Sequence, residues 1–458
     1  MSKKNEGGIY QISEELRRES RSIYNRLKSI EDDANFIEDI SKELFKEYPI
    51  IANERCGVWY VKPQIAHAQT VYFKSTDGHH GKWSFNLRRA NTHLFDILAI
   101  NKGCIIVDST RSGKRMPDSF SRTIPIWCSV WNMAIRNITM SNNYDQWDSS
   151  VHTPTNIVSE SERLQIEKLI PQFVNILLAS DIDVKWAATR LLRPLRPIWI
   201  TRDQHLTIPP DFTNVEFTPI ICLCASIAGL DAANSMPFGY VQGAADDHEL
   251  WANGLTPHLF WKHRLQLLAD RDYCDERVEK LIAREASAKS TLNYMSDGGF
   301  AFVRNTGLAV GGRTSGRPPE CWSQFDAIIN CGAPEYESNK DPALAARYLF
   351  LSIPEGKRGQ IALGKSIPCA LAFVYAYVQR GARVLVHCSQ GMDRSVGIAL
   401  AVLTQYFDTN GKFKENSASE ITKLSIQNKL LWITTSRAKA NPSRVTLKQV
   451  NRHFLDYL

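Results

Sequence analysis

Val384-Leu385-Val386-His387-Cys388-Ser389-Gln390-Gly391-Met392-Asp393-Arg394-Ser395 is an apolar run of strand length that ends in His-Cys, turns through five residues to an Arg, and opens onto a helix-forming stretch. That order predicts an α/β fold with a ligand loop at the carboxyl end of a strand. A loop wound between a strand and a helix N-terminus turns successive N–H groups inward, and the helix dipole adds partial positive charge where they converge. His387 to Ser395 therefore read as an oxyanion cradle, with the planar guanidinium of Arg394 as its clamp. The same field is expected to favour the Cys388 thiolate. A merely buried core cysteine would not need Gly391, Arg394 and Ser395 at these offsets.

Outward from the loop, residues 308–312 and strands at 327–331 and 348–353, a helix at 367–379 and a helix from the loop to Phe407 give βαβ order. A last helix is expected over residues 442–458, capped near Asn441 or Ser443. The segment resembles the phosphate loop of the cysteine-dependent tyrosine and dual-specificity phosphatases. That likeness implies a general-acid Asp roughly thirty residues upstream, because a leaving alkoxide must be protonated. Here the region reads Leu351-Ser352-Ile353-Pro354-Glu355-Gly356-Lys357-Arg358-Gly359, without an Asp. Glu355 can stand in, but Lys357 and Arg358 suit a loop that binds more phosphate. Asp393 either faces away from the anion or helps hold a metal on the ligand's phosphates. Phosphate capture is expected more than phosphate hydrolysis.

The chain has 458 residues, 43% of them hydrophobic, enough for two or three domains with real cores. The expected division is a helical arm over residues 1–50, an α/β domain over 51–295 and the loop-bearing α/β domain over 296–458, the latter with a central, mainly parallel sheet. Residues 13–48 show apolar stripes at helical spacing. Strands are expected at residues 57–60, 71–73, 104–107, 124–128, 197–200 and 220–224, with Cys222 and Cys224 facing one side. A charged helix is expected within 269–298. No stretch reads as a membrane span of roughly 20 apolar residues, and the N-terminus is not signal-like, so a cytoplasmic protein is expected. Ten cysteines without CxxC pairs indicate neither zinc nor a disulfide framework. The net charge of +7 is modest. Arg and Lys nevertheless gather in Gly-, Ser- and Pro-containing segments, as at Arg313 and Arg317, which suits a polyanion or a phosphorylated small molecule.

Three clusters of the first domain are dense in reactive groups. Lys74-Ser75-Thr76-Asp77-Gly78-His79 delivers an acid and an imidazole on a turn, followed by Arg88 and Arg89. Asp108-Ser109-Thr110-Arg111-Ser112-Gly113-Lys114-Arg115 runs from an apolar strand into a hydroxyl- and base-rich loop. This loop resembles the diphosphate-ribose loop of phosphoribosyltransferases, with Ser109 in place of a second acid. Asp246-Asp247-His248-Glu249 offers a helix start, metal ligands at Asp246 and Asp247, or a base.

Together with Ile124-Pro125-Ile126-Trp127-Cys128 and Val241-Gln242-Gly243-Ala244-Ala245, these motifs resemble the initiator tRNA phosphoribosyl transferases over nearly the whole chain. The resemblance implies a family-specific α/β domain ahead of a dual-specificity-phosphatase-like domain. It implies transfer of a 5-phosphoribosyl group from phosphoribosyl pyrophosphate, with Mg²⁺, to the ribose 2'-hydroxyl of adenosine 64 in the T-stem of initiator tRNA, and no stable protein partner. The cradle would then hold a donor phosphate, with Arg394 principal. Asp77, Asp108, Asp247 and Glu249 are candidates for the base or for the carboxylate beside an oxocarbenium-like C1. Lys74, Ser75, Thr76, His79, Arg88, Arg89, Ser109, Thr110, Arg111, Lys114, Arg115, Lys357 and Arg358 would contact sugar phosphate or RNA. Two alternatives remain: a cysteine phosphatase acting on an RNA end, a phosphoinositide or a phosphoprotein, and an inert phosphate-recognition module.

Overall fold

A computed structural model describes residues 19, 21–75, 81–111, 113–139, 147–204, 208, 210–212, 214–228, 238–292, 299–356, 359–414, 421–437 and 439–455. The chain divides into two compact units, Met1–Ala286 and Ser287–Leu458.

In the first unit α1 (Ile23–Leu44) leads to β1 (Ile50–Ala52), α2 (Leu94–Asn101), β2 (Cys104–Asp108), α3 (Ile124–Thr139), α4 (Glu160–Leu178), α5 (Val184–Ala188), β3 (Leu195–Ile200), β4 (Thr218–Cys224), α6 (His248–Trp251), α7 (Pro257–Leu267) and α8 (Cys274–Leu292). The strands form a parallel sheet in the order β1-β2-β4-β3. Both faces are covered, and the pleat sorts the side chains between them. Cys104, Ile106, Ile220, Cys222 and Cys224 enter one core with Trp127, Trp131 and Ile170 of α3 and α4. Ile105, Val107, Ile221 and Leu223 enter the other with Leu27 of α1, Phe260 of α7 and Val278 of α8. Residues 1–50 are thus no separate arm where they are described, because α1 closes the second face. Ser22 caps α1 by accepting from Asn25 N at 3.3 Å, and Thr256 caps α7 with Pro257 in its first turn.

Strands expected at residues 104–107, 197–200 and 220–224 are present, as β2 and within β3 and β4. The expected strand at 124–128 is instead the first turn of α3. Every residue of α3 from Ile124 to Asn132 is buried, so the apolar run carries no helical period to read. Residues 57–59 form a 3₁₀ turn, and Val71 makes only an isolated bridge to Asn53.

The second unit runs β5 (Phe300–Phe302), β6 (Leu308–Gly311), α9 (Glu320–Gln324), β7 (Ala327–Asn330), β8 (Tyr348–Phe350), α10 (Gly359–Gln379), β9 (Val384–His387), α11 (Arg394–Tyr406), α12 (Lys423–Ser436) and α13 (Arg444–Leu455). Its sheet has the order β5-β6-β9-β7-β8, parallel except for β5. The mainly parallel sheet expected from the sequence is present, and β9, which carries the loop, is its central strand. Ser443 caps α13 by accepting from Thr446 N at 3.1 Å. One expectation is corrected: α10 is long and apolar enough over Ile361–Gln379 to cross a membrane by length and composition. Its Leu363, Ile367, Val374 and Val378 lie in the core of this unit.

Candidate active site

The shape of the cradle is set from outside. Ser389 O accepts from Arg313 N at 3.2 Å, Gln390 O from Arg437 Nη2 at 3.2 Å, Gly391 O from Arg437 Nε at 3.0 Å, and Met392 O from Asn441 N at 2.9 Å. In a trans peptide the following N–H points opposite to its carbonyl. Four successive carbonyls tied outward therefore turn the amides of Gln390, Gly391, Met392 and Asp393 inward. Gly391 N accordingly donates to Cys388 Sγ at 3.2 Å. Gly391 has φ +72°, and a Cβ there would lie 2.5 Å from Gly311 O, so glycine is required.

Arg394 starts α11 and is buried. Its Nη1 donates to Gly332 O at 3.1 Å and Ile353 O at 2.8 Å, and its Nη2 to Ser389 Oγ at 3.0 Å and Glu355 Oε1 at 2.5 Å. The exposed Glu355 carboxylate thus rests on Arg394. Asp393 faces away: its Oδ1 accepts from Ser443 N at 2.9 Å. Burial, the largest influence, pushes the Cys388 thiol up, but the Ser395 hydroxyl at 3.3 Å, the Ser395 and Gly391 amides and the Arg394 charge together bring it below its ordinary value. Burial pushes His387 down to about 4, so its ring is neutral at pH 7. That ring packs on Gly316, where a Cβ would stand 2.5 Å from Nε2. A contact with the Cys388 backbone opposes that shift without overcoming burial. His387 therefore fills space beneath the loop, whereas the sequence suggested a phosphate contact.

In the first unit Asp108 closes β2 and is fully buried. Its Oδ1 accepts from Arg55 Nη2 at 3.0 Å, Cys56 Sγ at 2.9 Å and Ser109 N at 2.9 Å. Its Oδ2 accepts from Asn53 Nδ2 at 2.8 Å, Arg55 Nε at 3.1 Å and Ser119 Oγ at 2.6 Å. A carboxylate so fully engaged holds the ends of β1 and β2 together and has little capacity left as a base. Arg55 also reaches Asp246 at 2.6 Å, although burial, the largest influence, still raises the Asp246 carboxyl above its ordinary value. Asp247 is exposed, with φ +50° ahead of α6. The Glu249 side chain lies outside the described residues.

Ser109 and Thr110 are buried, and Ser109 O accepts from Arg55. Arg111 and Arg115 are exposed, Lys114 half-buried and bonded to Asp118 at 3.2 Å, and Arg115 paired with Asp203. Ser75 is buried, Lys74 is exposed, and Arg89 stacks on Tyr72 at 4.0 Å in a short turn with Arg88. Thr76, Asp77, His79, Lys357 and Arg358 lie outside the described residues. Among the described residues no three His, Cys, Asp or Glu side chains converge as a metal site. With Asp246 held by Arg55 and Asp108 saturated, Asp246 and Asp247 do not fit a resident ion. Sequence reasoning missed Asn53, Arg55, Cys56 and Arg437. The polar run after β1 is a signal for the first three, because polar residues directly beyond a parallel strand line the ligand edge; Arg437, on no motif, left none.

Residues 16–283 match the Rit1 N-terminal domain and residues 347–454 the Rit1 DUSP-like domain. The chain is 32% identical to the tRNA A64-2'-O-ribosylphosphate transferase of Saccharomyces cerevisiae, covering 97% of this chain and 94% of that protein. It is 33% identical to an uncharacterized protein of Schizosaccharomyces pombe, over 94% of each. Among solved structures it is similar over 34% of its length to human DUSP28 (15% identity, 94% of that chain, TM-score 0.27). A human tyrosine phosphatase-like serine/threonine/tyrosine-interacting protein is similar over the same share (20% identity, 97% of that chain, TM-score 0.27). With both of its units matched and its length aligned almost end to end with the yeast transferase, the chain belongs to the Rit1 family.

Proposed function

We propose that the protein transfers the 5-phosphoribosyl group of phosphoribosyl pyrophosphate to the 2'-hydroxyl of adenosine 64 in initiator tRNA, in the cytoplasm, and so marks that tRNA against use in elongation. The observation that carries this reading is the near end-to-end similarity to the yeast protein of that name. The cradle supports it, since inward amides and Arg394 suit a donor phosphate and require no attack by Cys388.

In the transfer the tRNA 2'-oxygen bonds to C1 of the ribose, the C1–O bond to diphosphate breaks, and the hydroxyl proton passes to a base. Asp247, Glu249 and Asp77 remain candidates for that base, while Asp108, saturated by six donors, serves as a positioning residue. Magnesium enters with the donor as the counterion of its diphosphate, as part of the substrate. The exposed Arg111 and Arg115 offer charge to the RNA backbone.

Incubation with initiator tRNA, phosphoribosyl pyrophosphate and Mg²⁺, followed by nuclease mapping, should show one added phosphoribosyl group at adenosine 64. Absence of added mass at any 2'-hydroxyl rejects the reading. The lowered Cys388 thiol and the carboxylate at Glu355 favour one rival, phosphomonoester hydrolysis. Cys388→Ser separates them: transfer within about twofold of the parent is expected, whereas a hydrolase would lose turnover.

A further inference from the structure

The whole excess of positive charge lies in the second unit. Residues 287–458 hold 21 of the 55 Lys and Arg against 12 of the 48 Asp and Glu, a net +9, whereas residues 1–286 hold 34 against 36, a net −2. The imbalance is greatest in the helices around the cradle. Together α10, α11 and α13 contain five Lys and Arg and no Asp or Glu. One of the five, Arg394, belongs to the cradle itself, and three of the others are on α13.

Helix α13 is anchored at the rim of the cradle. Asn441 N donates to Met392 O at 2.9 Å, and Ser443 N, at the helix cap, donates to Asp393 Oδ1 at 2.9 Å. From there the helix lies on α11 and α10: a Cβ at Gly397 would stand 2.6 Å from Thr446 Cγ2, and one at Gly364 would stand 2.5 Å from Gln449 Oε1. Thr446 and Val450 are buried by this packing. Residues two positions from them point about 200° round the helix, away from the core. Those are Arg444, Lys448 and Arg452, the three exposed residues of α13. They make a ridge about 12 Å long, the span of several phosphates of a duplex strand. Among the described residues neither Arg444 nor Lys448 has an ionic partner. Arg444 also stands in a first turn without an acid, where the helix dipole disfavours a cation and a bound anion would offset both. A lipid surface fits this ridge poorly, because insertion needs an exposed apolar face and no apolar side chain is among the exposed residues of α13. Spaced cations on a rigid helix suit a chain of phosphates.

We propose that α13 is a docking ridge for the phosphate backbone of the acceptor RNA at the rim of the cradle, with Arg444, Lys448 and Arg452 each on a phosphate. The assignment to the acceptor rests on the transfer reading above. The charge of the ridge and its fit to an RNA backbone do not depend on it.

Binding of initiator tRNA to the full chain, measured without donor across a salt series, tests this. With Arg444→Ala, Lys448→Ala and Arg452→Ala combined, the slope of log Kd against log salt should fall by about 2–3, the counterions of three phosphates, and with Lys448→Ala alone by about 1. Lys448→Arg should keep the parent slope. An RNA duplex of unrelated sequence should lose the same slope, since phosphates carry no sequence. Inorganic phosphate binding to the cradle should stay within about twofold of the parent in every variant, because surface substitutions leave the loop in place. Parent slopes in the combined and the single variant, a duplex that keeps its slope, a loss of inorganic phosphate binding equal to the loss of RNA binding, or binding of phosphatidylserine vesicles abolished by the same three substitutions would overturn the proposal. Should tRNA bind through the ridge without any transfer, the enzymatic reading fails and the ridge stands. Transfer with ridge-insensitive binding removes the ridge alone.

Discussion

Cys388 and His387 are neighbours whose titrations the fold moves for opposite chemical reasons. Iodoacetamide labelling of Cys388, read against Cys388→Ser, should reach half its limiting rate below the usual thiol pKa of roughly 8.5, because the donors around Sγ outweigh burial. An unchanged midpoint would show that the loop does not stabilise the thiolate. His387, with its folded value pushed from 6.5 to about 4, binds its proton more readily in the unfolded chain. Stability is therefore complete above about pH 6.5 and falls as pH drops towards 4, by up to about 3 kcal/mol for this group. Denaturant titration should show that slope, and His387→Asn should flatten it. The sequence disclosed Cys388 and Arg394 because the residue types and their spacing are themselves the chemistry. It did not disclose that His387 sits below the loop, since that depends on Gly316, a contact between positions distant in the chain.

Among the elements, each site is held by the ends of strands and by side chains that bond to its backbone or its carboxylate. Arg437 follows α12 and reaches Gly391 O, Gln390 O and Gly299 O with one guanidinium. Arg437→Met should weaken inorganic phosphate binding to the cradle about tenfold while Cys388 and Arg394 stay in place. Affinity equal to the parent would mean that the loop holds its shape alone. At the β2 edge, Asp108→Asn removes one of the two carboxylates on Arg55, Asp246 staying in place, and a loss of about 1–3 kcal/mol in unfolding free energy is expected. Strands β2, β3 and β4 were legible as short apolar runs between turns. The start of α3 was not, since a helix buried all round shows the same run of apolar residues as a buried strand.

For the whole molecule, the two units have separate cores, built on separate sheets. Asp108→Asn should therefore lower the unfolding transition of the first unit and leave phosphate binding by the second within about twofold of the parent. Calorimetry together with phosphate titration checks both halves of that statement. Sequence alone placed the junction near residue 296, whereas the units part between Ala286 and Ser287, inside α8. Composition shifts along the chain are local, but cohesion between cores is a property of the folded chain. The loop from Cys388 to Arg394 joins β9 to α11. Because Arg313, Arg437 and Asn441 tie its carbonyls from outside, its shape is held by groups other than the Cys388 thiol. A substitution at Cys388 can therefore remove the reactive group and leave the inward amides where they are.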